Sequence, residues 1–235
     1  HGAMIIGAIV VIGYTVLGGF LAVSTTDLIQ SIIMTFALIF IVLFGIQQAG
    51  GWELVAANAS SLPGYLNFTQ GYDAATGQAS SYGALSIAST LAWGLGYFGM
   101  PHILLRFMAI EDDAKLKTSR RIATIWVVIS MFIAVLIGIV GLAVTQLSGN
   151  NTETIIVKIA DLLSKHGILP ALMAGLVLSG ILASTMSTAD SQLLAAASSV
   201  SHDLVQDFFG KKLNPKASML AARGTVIGIA IVGIF

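Results

Sequence analysis

The stretch 91–107 reads LAWGLGYFGMPHILLRF. It carries Gly94, Gly96 and Gly99 in G-x-G-x-x-G spacing, followed at once by Pro101. The nearest charges are Asp73 before it and Arg106 after it. Two physical readings compete for these glycines. A dinucleotide-binding loop needs a strand before it, an amphipathic helix after it and an acid about 20 residues further on. Here a helix-length apolar run precedes the glycines, and the segment where the acid should lie is basic. The required context is absent. The other reading is a broken membrane helix. Glycine lowers helix propensity, and proline deletes a backbone donor and clashes with the preceding turn. Together they predict an unwound segment near 94–101, which falls close to mid-bilayer when the helix is counted from residue 82. Unwound backbone at that depth is tolerated where it is buried in protein or lines a cavity. Discontinuous helices of this kind form substrate and ion sites in secondary transporters. A proline kink with small residues for tight helix packing is the plainer alternative. Trp93, Tyr97 and Phe98 would place aromatic faces beside free carbonyls, an arrangement suited to a small organic ligand.

Composition supports the membrane side of this choice. The 235 residues are 56% hydrophobic and 9% charged, with a mean hydropathy of +0.92. Soluble domains carry about 25% charged residues. So few charges cannot cover a water-facing surface, and the chain reads as an all-α polytopic membrane bundle with the lipid bilayer as partner. The formal net charge of zero removes nucleic acid as an expected partner. Cysteine is absent, which excludes thiol catalysis. The first apolar run lacks the basic flank of a signal peptide. The chain starts almost inside one apolar run and stops inside another, and it reads as a segment of a longer protein.

Apolar stretches of membrane-crossing length fall at about 3–23, 27–47, 82–106, 122–146, 168–199 and 219–235. Each is expected to be helical, because lipid offers no partner to backbone polar groups. Six spans put 24–26, 107–121 and 200–218 on one side, and 48–81 and 147–167 on the other. Arg106, Lys115, Lys117, Arg120, Arg121, Lys211, Lys212, Lys216 and Arg223 gather at the first side, against Lys158 and Lys165 at the second. The positive-inside bias makes the first side cytoplasmic and places residue 1 outside. Segment 48–81, rich in Gly, Ala, Ser and Asn and carrying Pro63, reads as a loop. Segment 152–166 reads as an amphipathic outer helix. Asn151 is its N-cap, Ile155, Ile156, Ile159, Leu162 and Leu163 form its apolar stripe, and Gly167 and Pro170 close it. It is either an interfacial packing helix or a lid over an outer vestibule. Asn58, Asn67 and Asn150 fit the glycosylation sequon, a match common by chance.

A second unusual stretch, SGILASTMSTADSQ at 179–192, is dense in hydroxyls. Ser184, Ser187, Thr188 and Ser191 recur at i, i+3, i+4 and i+7 and make one polar face. Such residues often only bond the carbonyl one turn back. Neutral oxygens are also what a hard cation such as Na⁺ takes as ligands. Asp190 lies in the same span, and membrane acids are functional-site candidates by default. Asp190, like Asp27 at the inner start of the second span, could equally be an interfacial residue. No His-Glu-x-x-His or Gly-x-Ser-x-Gly motif supports pairing Ser187 with His202, or His102 with Asp112, as catalytic groups, so an enzyme is not expected.

Three strings, YTVLGGFLAVSTTDLIQ (14–30), LAWGLGYFGMPHILLRFMA (91–109) and GILASTMSTADSQLLAAASS (180–199), resemble the sodium/solute symporter family, closest to its proline branch. The resemblance is collinear over essentially the whole chain. It implies an inverted-repeat, leucine-transporter-like fold of five plus five core helices, of which this chain would supply core helices four to nine. The remainder of the same transporter chain would supply the first and tenth, and without them the segment is not expected to transport. The resemblance also implies Na⁺-coupled import of a small amino acid, foremost L-proline, across a bacterial inner membrane. Another small solute, or a solute-sensing receptor or channel on the same fold, is the alternative. By the same resemblance, Trp93, Tyr97 and Pro101 match positions shaping the substrate pocket. Ser187 and Thr188 match sodium-binding hydroxyls, and Ser184 a carbonyl ligand. Asp27 matches an acid on the sodium path toward the cytoplasm. Asp190 and Ser191 match positions that, with that acid, form a second ion site in some relatives. Arg223 matches an arginine at the inner end of the following helix. Two positions depart from the pattern: Thr25 stands where tryptophan is usual, and Met100 where glutamine would precede the proline.

Overall fold

The structure is a computed structural model and describes residues 2–73, 75–97, 99–145, 152–210 and 213–234. Phe98, Asn150, Asn151, Lys211 and Lys212, which the sequence singled out, lie outside the described residues. The helices are α1 (Gly2–Gln48), α2 (Trp52–Ser61), α3 (Ala84–Tyr97), α4 (Pro101–Met108), α5 (Asp113–Thr145), α6 (Ile155–Ser164), α7 (Ile168–Ser198) and α8 (Pro215–Ile234). A π-helical segment, Ser199–Phe208, continues α7. A hairpin of β1 (Gln70–Asp73) and β2 (Gln78–Ser81) lies between α2 and α3. Among the described residues, four helical stretches are long and apolar enough to cross a membrane: Ile5–Gln48, Asp113–Thr145, Ile168–Phe208 and Pro215–Gly233. Their large apolar side chains, such as Leu17, Leu21, Phe132 and Leu182, point outward, as lipid-facing residues do.

Two features differ from the sequence reading and a third keeps to it. The first two apolar stretches are not parted at 24–26. The backbone stays helical there and departs at Gly19 (φ 57°, ψ −153°), a conformation open almost only to glycine. The reason is local. Thr25 Oγ1 bonds the Leu21 carbonyl at 2.8 Å, and Thr26 Oγ1 bonds the Val23 carbonyl at 2.9 Å, so both hydroxyls are absorbed by their own helix. Segment 48–81 is not all loop. Val55 and Ala59, four residues apart on α2, are buried. The hairpin turn is tied by Asp73, whose two carboxylate oxygens accept the Ala75 N–H and the Thr76 hydroxyl, each at 2.9 Å. Those bonds hold the Asp73 carboxyl below its ordinary pKa. Stretch 82–106 is two helices, because α3 stops at Tyr97 and α4 begins with Pro101 in its first turn.

The chain divides into two units. One comprises Ile33–Phe98 and Glu111–Ile181. Its core joins Ala37, Ile41 and Val42 of α1, Ile137 of α5, Ile155, Ile159, Ala160 and Leu163 of α6, and Ala174 and Val177 of α7. Glycines let the helices approach closely. A Cβ on Gly45 would stand 2.5 Å from Val140 Cγ1, and one on Gly141 would stand 2.5 Å from Ile155 Cγ2. Trp126 Nε1 donates to Thr35 Oγ1 at 2.9 Å. The α6 apolar stripe is thus core material of this unit, with Gly167 (φ 113°) ending the segment after it and Pro170 already in the first turn of α7. The other unit comprises His1–Ile32, Gly99–Ile110 and Leu182–Phe235. It brings the first part of α1, α4, the second part of α7 with its π-helical continuation, and α8 together. Gln206 of the π-helical segment donates to Ser218 Oγ of α8 at 3.3 Å.

Candidate functional site

The second unit holds the polar groups that the sequence marked. On α7, the Ser184 carbonyl accepts Ser187 Oγ at 3.1 Å and Thr188 Oγ1 at 3.2 Å. Three oxygens therefore share one helical turn. Each hydroxyl uses its single proton inward and keeps lone pairs for a ligand. This is an all-oxygen donor set of the kind a hard monovalent cation accepts. It is also the ordinary back-bonding of membrane Ser and Thr, so the geometry fits an ion without requiring one.

Asp27, Asp190 and Ser191 are buried and come together. Arg106, on α4 five residues past Pro101, donates through Nη2 to Asp27 Oδ2 and to Ser191 Oγ. Ser191 Oγ in turn donates to the Ser187 carbonyl at 2.8 Å, which links this cluster to the hydroxyl turn. Tyr14 donates its hydroxyl to Asp190 Oδ2 at 2.6 Å, and Ser191 Oγ lies 3.3 Å from Asp190 Oδ1. Asp27 Oδ1, Thr15 Oγ1 and Gln30 Oε1 are buried without a hydrogen-bond partner. Two acids and one base on three helices thus form a compact network in a setting where unpaired charge is costly. Neither acid is a free interfacial residue.

The expected substrate residues are placed differently. Trp93 and Tyr97 are exposed on α3, Tyr97 as its last residue, while Pro101 opens α4. Trp93 and Tyr97 belong to one unit and Pro101 to the other, so no single unit gathers all three. Gly94 and Gly96 remain helical; α3 ends at Tyr97 and α4 begins at Pro101. Because Pro101 has no N–H, the Tyr97 carbonyl lacks its helical donor. The sequence reading missed Arg106 as a site residue, taking it only as a marker of sidedness, and missed Tyr14 altogether. Arg106 had a signal, since it is the first charge after the break. Tyr14 offered none beyond a phenol inside an apolar run.

Long apolar helices, one helix broken at a proline and buried acids define a multi-pass helical membrane protein with a polar interior site. The chain belongs to the sodium:solute symporter family, whose model matches residues 1–235. It is 38% identical over 233 residues to the osmoregulated proline transporter OpuE of Bacillus subtilis, covering 96% of this chain and 44% of that relative. It is 38% identical over 229 residues to the high-affinity proline transporter PutP of the same organism, covering 96% of this chain and 45% of the relative. A sodium/proline symporter of Staphylococcus aureus is 33% identical over 240 residues, covering all of this chain and 44% of its own. The chain therefore spans somewhat under half the length of the curated relatives it matches. No solved structure matches it.

Proposed function

We propose that this chain is the central part of a Na⁺-coupled importer of a small amino acid, foremost L-proline, in the cell membrane of a bacterium. The observation that carries this reading is the oxygen cluster of Ser184, Ser187 and Thr188, tied through Ser191 to a buried acid network. Family membership and the proline transporters among the relatives support the substrate. The polypeptide is an inverted-repeat segment supplying core helices four to nine, and the rest of the same transporter chain completes both sites. The side bearing Arg106, Lys115, Lys117, Arg120 and Arg121 faces the cytoplasm.

In this mechanism Na⁺ binds the Ser187 and Thr188 hydroxyls and the Ser184 carbonyl. Bound there, it favours the outward-open state, in which substrate binds better, and that difference in affinity is the coupling. By resemblance to the family, Trp93, Tyr97 and Pro101 are the residues assigned to the substrate. Asp27, Asp190 and Ser191 line the exit of the ion toward the cytoplasm. The work is transport, not catalysis.

The test uses the full-length transporter in proteoliposomes. Proline should accumulate against its gradient when Na⁺ is outside, and stay at equilibrium without it. Ohmic current or binding without accumulation would favour a channel or a receptor. Ser187→Ala should raise the Na⁺ concentration for half-maximal uptake about tenfold, equivalent to ~1.4 kcal/mol of ion binding. Unchanged Na⁺ dependence in that variant sinks the ion assignment. Competition by other small amino acids tests whether Met100 widens the pocket beyond proline.

A further inference from the structure

The way Arg106 holds Asp27 is unlike an ordinary arginine–carboxylate pair. Such pairs are commonly bidentate, with two parallel N–H groups on the two carboxylate oxygens. Here one nitrogen, Nη2, serves both Asp27 Oδ2 and Ser191 Oγ, and Asp27 Oδ1 is left buried with no hydrogen-bond partner. A single positive centre is thus shared between a carboxylate oxygen and a hydroxyl from two different helices, α1 and α7. That is how a hard cation is held among oxygens. Asp190 adds a further oxygen within 3.3 Å of Ser191 Oγ. The Arg106 side chain is 46% exposed, whereas that of Asp27 is 9% exposed. The arginine therefore reaches into the cluster from its open side, and its long flexible stem does not lock it there.

We infer that Arg106 is a tethered cation that fills the Asp27–Ser191 position, so that a Na⁺ leaving along this path is not held there at equilibrium. The inference rests on the symporter reading above and refines it: coupling runs through the Ser187 and Thr188 hydroxyls alone while Arg106 is in place. Two cations at one carboxylate repel each other, and the repulsion is strong where water is scarce. Removing the charge of Arg106 converts the place into a Na⁺ site. Asp27 then offers two oxygens, Ser191 its hydroxyl, and the negative charge of Asp27 has no ion-pair partner among the described residues.

The test measures equilibrium binding of radioactive Na⁺ to the purified full-length transporter, with the parent as reference. Arg106→Gln should bind one further Na⁺ per chain. Arg106→Lys, which keeps the charge, should match the parent. Adding Asp27→Asn to Arg106→Gln should remove the extra ion. An Arg106→Gln protein that binds no more Na⁺ than the parent overturns the inference. A parent that binds no Na⁺ and takes up proline without it refutes the symporter reading itself, a result separate from the others.

Discussion

The two units use opposite means to hold membrane helices together. In the unit built on Ile33–Phe98 and Glu111–Ile181, the interior is aliphatic, and glycines at 45 and 141 let helices come close enough for van der Waals contact. Trp126 and Thr35 add an interhelical hydrogen bond to it. In the other unit, α1, α4 and α7 meet through Asp27, Arg106, Ser191, Asp190 and Tyr14. Lipid is as apolar as leucine, so helix association inside a membrane must come from packing, from hydrogen bonds, or from both. The first unit shows what packing alone requires. The second carries ionisable groups that packing would not call for, which makes it the candidate for the working part.

The contrast is broken most forcefully by attacking the aliphatic core. Ile159 is fully buried in α6 among residues of α1, α5 and α7. Ile159→Ala in the full-length transporter should cost roughly 2–5 kcal/mol of stability, since the cavity has rigid walls on every side. Thermal unfolding in detergent should fall accordingly, while the Na⁺ concentration for half-maximal uptake in the surviving folded fraction stays unchanged. If that concentration moved, α6 would be coupled to the ion site and the division of labour would be wrong.

A change in the polar unit should behave in the reverse way. Tyr14→Phe removes the donor to Asp190 Oδ2 and leaves a fully buried carboxylate oxygen without it, at a cost of about 1–3 kcal/mol. Here both stability and Na⁺ dependence should shift. Combining it with Asp190→Asn gives a double-mutant cycle, in which strong coupling is expected because the two groups are in direct contact. Additive effects would mean that the Tyr14–Asp190 bond contributes nothing beyond its shape.

Much of this was legible in the sequence, and the part that was not has a physical reason. The helix break was visible in Gly94, Gly96, Gly99 and Pro101, yet proline decides its place: the first two glycines stay helical and Pro101 starts the next helix. The oxygen cluster of Ser184, Ser187 and Thr188 was visible because i, i+3 and i+4 spacing is local information. The Arg106 contacts were not, since they join residues 79 and 85 positions apart and no periodicity pairs them. The connection between the first two stretches was set at 24–26, but there the Thr25 and Thr26 hydroxyls bond the preceding carbonyls, and the backbone departs from the helix at Gly19 instead. Helix α2 and the hairpin were hidden by small polar residues, and α2 buries only Val55 and Ala59.

The smallest effect sharpens the comparison from the packing side. Trp126 and Thr35 form a neutral hydrogen bond between α5 and α1 within the aliphatic unit. Trp126→Phe keeps most of the ring and removes the donor, so its cost should be that of one neutral bond, about 1 kcal/mol. Thr35→Val, which removes the acceptor at nearly constant volume, should cost a similar amount, and the two together should cost little more than either alone. Thermal unfolding of the three full-length variants measures this directly. In the membrane a lost hydrogen bond could in principle cost more, because no water replaces it, but the partly unfolded chain also finds other partners there. A loss near that of a neutral bond in water would mean that the unit stands on its packing. A loss several times larger would make Trp126–Thr35 a structural pin comparable to the ion pair in the other unit, and the two units would then differ in chemistry but not in principle.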